Sequence, residues 1–174
     1  MLALVGVQIF ITNKAGSEEI VRSTIDLIGQ GTPHFVALEY YFGILNRTYV
    51  VFVTDTMIYG AKVRGLLPAP INVGERWRNP YFYPKLSYLK RLTGFSVHSS
   101  EFLNQHNANF QIERSEIQRV EWSNEEKWGM GTVPYSGRIV VILPGNRTRE
   151  LIFLGSQDGN AIRNLIAGRP SYAA

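Results

Sequence analysis

The chain has 174 residues, 45% hydrophobic and 18% charged, with a net charge of +4 and no cysteine. That composition suits one well-packed domain and excludes disulfides, thiolate metal sites and cysteine-nucleophile chemistry. The charge is uneven: from Lys62 to Phe95 seven basic residues stand against Glu75 alone, a local +6 that leaves −2 for the rest.

The opening Met1–Thr12 run is apolar but shorter than the roughly 20 residues that span a bilayer. Lys14 follows it and no cation precedes it, so it does not read as a signal peptide. It reads as a first strand or the lead-in to a buried helix, with an interfacial anchor as the sharper alternative. Residues 17–30, SEEIVRSTIDLIGQ, predict a helix capped by Ser17, with Glu18 and Glu19 in its first turn. Ile20, Val21, Ile25 and Ile28 fall on one side of it. HFVALEYYFGIL (34–45) predicts a strand, Asn46-Arg47-Thr48 a polar connection, and Tyr49–Thr54 a second strand.

VFVTDTMIYG (51–60) is apolar at both ends with Thr54-Asp55-Thr56 between. One strand through it to Val63 would be far longer than the usual five or six residues. A turn at Asp55-Thr56 predicts a hairpin instead, the Asp side chain bonding nearby amides. Residues 66–109 form a long insert, within which PKLSYLKRLTGF predicts a helix. FQIERSEIQRVEW (110–122) predicts two strand pieces, with a bend where the alternation slips at Arg114–Glu116. After a loop over 123–137, RIVVIL and RELIFL flank PGNRT as a hairpin. A last helix, GNAIRNLIAG, carries Ala161, Ile162, Leu165 and Ile166 as its apolar stripe.

The pattern predicts an α+β domain, mostly antiparallel β. About seven strands form a partly open barrel or sandwich capped by a C-terminal helix, with an N-terminal helix and a long insert. YVVFVTDTMIYG resembles the strand-turn-strand near the start of bacterial pleckstrin-homology-like domains, where a phrase of the type LTDxRLIY is common. FQIERSEIQRVEW resembles their later strand, and RIVVILPGNRTRELIFLGSQDGNAIRNLIAG their last hairpin and capping helix. The resemblance covers roughly 35–65 and 110–168 within a single 1–174 domain, leaving 1–34 as an N-terminal extension and 66–109 as the insert. Thr56-Met57 stands where the family carries a basic residue, and the insert is longer than the family pattern. The resemblance implies binding to lipid headgroups, peptides or other subunits.

The insert carries the distinctive chemistry. Trp77, Tyr81, Phe82, Tyr83, Tyr88 and Phe95 alternate with Arg76, Arg78, Lys85, Lys90 and Arg91. Rings with basic flanks suit a membrane interface or stacked single-stranded nucleic acid, the latter disfavoured here. The plainer alternative packs the rings on the barrel and leaves the cations to solvate the loop. The expected contact set is Arg76, Trp77, Arg78, Lys85, Lys90 and Arg91, with Trp77 as the rigid anchor.

His34, His98 and His106 lack metal-ligand spacing, and Glu121, Glu125 and Glu126 read as a solvated loop. WGMGTVPYSG lacks the third glycine of a nucleotide loop. The expectation is a non-enzymatic binding module without cofactor or metal, meeting a protein partner, its own copies or an anionic membrane surface. Its expected place is cytoplasmic or peripheral at the membrane. A self-assembling structural protein is the alternative, and a small enzyme using His98 or His106 with a glutamate the least favoured.

Overall fold

A computed structural model describes residues 14–168. The opening Met1–Thr12 run lies outside the described residues. In chain order the elements are α1 (Lys14–Gly29), β1 (His34–Phe42), β2 (Leu45–Val53), β3 (Met57–Arg64), α2 (Leu86–Leu92) and α3 (Glu101–Asn104). There follow β4 (Phe110–Glu113), β5 (Arg119–Ser123), β6 (Tyr135–Leu143), β7 (Arg147–Leu154) and α4 (Gly159–Ala167). The strands make one antiparallel sheet in the order β4-β3-β2-β1-β7-β6-β5. The fold is α+β, an open seven-stranded antiparallel sheet with one helix before it and one after it, as the sequence predicts.

The sheet curls. Arg149 on β7 lies 3.7 Å over the ring of Phe110 on β4, although β1, β2 and β3 separate those strands in the ladder. Curling makes two cores. The inner face buries Phe35, Val51, Ile58, Ile112, Val141 and Phe153. The outer face buries Val36, Leu38, Val50, Phe52 and Val63 beneath α1 and the insert. Both faces of β1 and β2 are therefore dry, and those strands read as continuous apolar runs. Ile162 and Ile166 of α4 join the inner core and close one end of it. Asp158 caps α4 by accepting a 2.9 Å bond from the Ala161 amide, and Gly168 ends it at φ +72°.

The hairpin between β2 and β3 turns over Thr54–Met57 as predicted, but Thr54 closes it rather than Asp55. The Thr54 hydroxyl oxygen accepts from the Met57 amide at 2.9 Å, and the Thr54 amide donates to the Met57 carbonyl at 2.8 Å. Asn46-Arg47-Thr48 is not a connection: it belongs to β2, and the turn falls at Gly43-Ile44. Asn46 is buried, its amide side chain exchanging bonds with the Leu67 backbone at 2.8 and 3.1 Å. Helix α1 starts at Lys14, so Ser17 lies inside it instead of capping it. β6 starts at Tyr135, inside the stretch expected as loop. A register shift between Tyr135 and Arg138, with Gly137 at φ +130°, breaks the alternation that would have marked it.

Candidate binding surface

The insert is structural over most of its length. Tyr83, Leu89, Leu92, Val97 and Phe102 are buried against the outer face of β1–β3. Trp77 is half-buried, with its ring 5.1 Å from Phe82 and 5.8 Å from Tyr83. It anchors the insert to the sheet rather than presenting a free indole. Arg76 is held by Glu18 of α1 at 2.7 Å and lies over the Phe82 ring. Arg78 is exposed beside Glu75, while its carbonyl accepts from the Ser156 amide at 2.7 Å. Arg76, Trp77 and Arg78 thus form a clasp near the α4 end of the sheet. Lys85 precedes α2, and Lys90 and Arg91 lie in its last turn, all three exposed.

The opposite end is built differently. β1 begins at His34, where Tyr81 of the insert approaches the imidazole at 3.2 Å, and ends at Phe42. Those ends lie about 26 Å apart, at about 3.3 Å per residue. At the far tip Tyr41, Phe42 and Ile44 point outward, Phe42 78% and Ile44 72% exposed. Trp128, 81% exposed, and Leu66 line the same cleft as Ile44, a hollow of about 270 Å³. Solitary exposed apolar residues are ordinary; several on one tip mark a contact surface.

Arg47 flanks this tip. Arg47 stacks 4.5 Å over the Tyr41 ring and pairs with Glu39 at 2.9 Å; Glu39 also pairs with Arg149 at 2.9 Å. Lys62, opposite Tyr49 in the β2–β3 register, lies 3.1 Å from His106 Nε2 and 5.9 Å over the Tyr88 ring. Arg91 covers the same ring at 5.6 Å. Burial, then the charges of Lys62, Arg47 and Arg91, hold the His106 imidazole below its ordinary value of 6.5. The structure therefore brings Arg91 of the expected set to a cluster with Arg47, Lys62, His106 and Arg149. Arg76, Trp77 and Arg78 stand at the other end.

A broad groove beside α4 is larger, and Arg114 and Gln157 on its wall are engaged. Arg114 donates to the carbonyls of Thr54, Leu165 and Ile166 at 2.7, 2.9 and 3.1 Å. Gln157 brackets β1 by accepting from the Val36 amide and donating to its carbonyl. His98 is exposed, and its ring packs 5.4 Å from Tyr59. Glu121 pairs with Arg119, and Glu125 with Arg138 at 3.9 Å. Among the described residues no three metal-ligating side chains converge, and no helix is long and apolar enough to cross a membrane.

No family model and no curated protein matches the chain. Among solved structures it is similar to the C-terminal domain of an unknown protein from Leishmania infantum. The identity is 16%, the match covers 86% of this chain and 94% of that one, and the TM-score is 0.39. The functional reading rests on the geometry of this chain.

Proposed function

We propose that this protein is a non-catalytic binding module with a pleckstrin-homology-like fold that docks on an anionic membrane surface through the open end of its sheet. One observation carries the reading: Phe42 and Ile44 face outward at the tip, Arg47 stacks over Tyr41 there, and Lys62 and Arg91 cluster with Arg47 around His106. Aromatic and aliphatic side chains enter the headgroup layer while cations meet anionic lipid. Burying Phe42 and Ile44 there contributes roughly 1.5–3 kcal/mol each. Each nearby cation adds about 1 kcal/mol, weakened by salt. The strand order, with the last helix seated on the inner core, supports the family part of the reading.

Co-sedimentation with vesicles tests it. Binding to anionic but not neutral vesicles, falling with salt and lost in the double variant F42S/I44S, is the expected result. If the tip meets a second copy instead, the chain dimerises without lipid, the same variant abolishes the dimer, and vesicle binding is absent.

A further inference from the structure

The inner core is open along β5. Among the described residues that strand pairs with β6 alone and ends the sheet, which leaves one row of its backbone groups without a neighbouring strand. Val120 and Trp122 pack on the inner core yet stay half-buried, the indole stacked 5.6 Å from the Phe153 ring. Ile117 and Leu165 of α4 are half-buried against the same core. Between β5 and α4 runs the broad groove, a hollow of about 1380 Å³ lined there by Ile117, Val120, Ile162 and Leu165. Arg119 and Glu121 alternate with the inward side chains and pair with each other on the exposed side. A free strand edge above an apolar floor fits an extended apolar segment, whose backbone bonds the edge while alternate side chains fill the floor.

The chain carries such a segment beside the groove. The thirteen residues before α1, MLALVGVQIFITN, hold no charged side chain. Ala3, Val5, Val7, Ile9 and Ile11 share one face of an extended segment, and Gln8 falls on the other. α1 starts where β5 ends. Glu18 of α1 holds Arg76 at 2.7 Å, and the Arg78 carbonyl accepts from the Ser156 amide at 2.7 Å. Two residues later Asp158 caps α4, and Gly159 lies so close to the Trp122 ring that a side chain there would collide with it. Thirteen extended residues reach roughly 43 Å, against roughly 16 Å for the five residues of β5. We propose that Ala3–Ile11 docks in this groove as an eighth strand on the β5 edge, with Val5, Val7 and Ile9 closing the inner core. The tether to α1 sets its effective concentration in the millimolar range, so the segment holds the edge against other chains. This role is independent of the use of the open tip.

The chain has no cysteine, so Gln8→Cys carries a single nitroxide label on the face turned away from the groove. In the full labelled chain the amides of Arg119–Ser123 and Leu165 should lose most of their NMR intensity. Those of Glu101–Asn104 in α3, packed on the outer face against Tyr59 of β3, should keep theirs. Val7→Asp in the same labelled chain sets a charge against the apolar floor. It should restore the β5 intensities and speed exchange of the β5 amides at least tenfold, with the rest of the sheet unchanged. Mixing labelled chain with unlabelled, nitrogen-15-enriched chain separates the sources, and broadening confined to the labelled molecule is expected. Broadening carried between molecules gives the groove to the segment of a second copy and overturns the proposal. Full β5 intensities in the labelled chain overturn it as well, as does equal broadening at α3 or a label immobilised only when anionic vesicles are added.

Discussion

The two ends of the sheet use the same residue types for opposite purposes. At the α4 end the cations are spent inward. Arg114 ties α4 to the β2–β3 turn, Arg76 ties the insert to α1, and Trp77 packs on the outer core beside Phe82 and Tyr83. At the other end Arg47, Lys62 and Arg91 lie on rings near the surface, and the large apolar residues of the tip face outward. Arginine beside an aromatic is thus a brace at one end and flanks an exposed tip at the other; what separates them is whether the neighbouring apolar side chains are buried or exposed.

The largest expected effects fall on the braced end. Tyr83→Ala empties a fully buried site beneath the insert and should cost about 4 kcal/mol in denaturant unfolding. A loss below about 1 kcal/mol would mean the insert is not part of the core. Arg114→Met removes bonds to three carbonyls and should cost about 3 kcal/mol, while the folded fraction keeps its vesicle binding. Acid should act on the same end and on β7 in two stages. Burial holds His34 below its ordinary 6.5, so the fold favours its neutral form. That stability is complete above 6.5 and is lost as pH falls through the lower folded value. Burial pushes Glu150 up, but bonds from Lys127 and Arg138 outweigh it and leave the carboxyl below 4.5; its contribution persists above 4.5 and fades below. Unfolding measured across pH 8 to 3 should show both steps, and His34→Asn should flatten the first. The smallest stability effect belongs to the open tip. F42S/I44S should shift unfolding by no more than about 0.5 kcal/mol, as substitution at exposed positions does.

Much of this architecture was legible in the sequence. The Thr54–Met57 turn, the slip at Arg114–Glu116 and the Asp158–Gly168 helix follow from strand length, alternation and capping residues. The open end was not. An apolar run such as EYYFGIL does not say which residues lie past the last covered strand pair, so Phe42 and Ile44 read as strand interior. Asn46 looked like a loop residue because its partner, the Leu67 backbone, is distant in sequence. His106 and Lys62 are likewise brought together only by the β2–β3 register and the loop that Asn109 pins to the Lys62 amide. The insert did announce itself by composition, but composition cannot tell a ring facing the sheet from one facing water.

The most direct measurement sets the two ends against each other on anionic vesicles at low salt. F42S/I44S at the open tip should reduce binding about a hundredfold, from the apolar burial it removes. R76Q/R78Q at the braced end should leave binding within about twofold, since Arg76 is held by Glu18 and both residues lie at the far end of β1. Loss of binding in R76Q/R78Q with full binding in F42S/I44S would contradict the account and move the contact surface to the clasp.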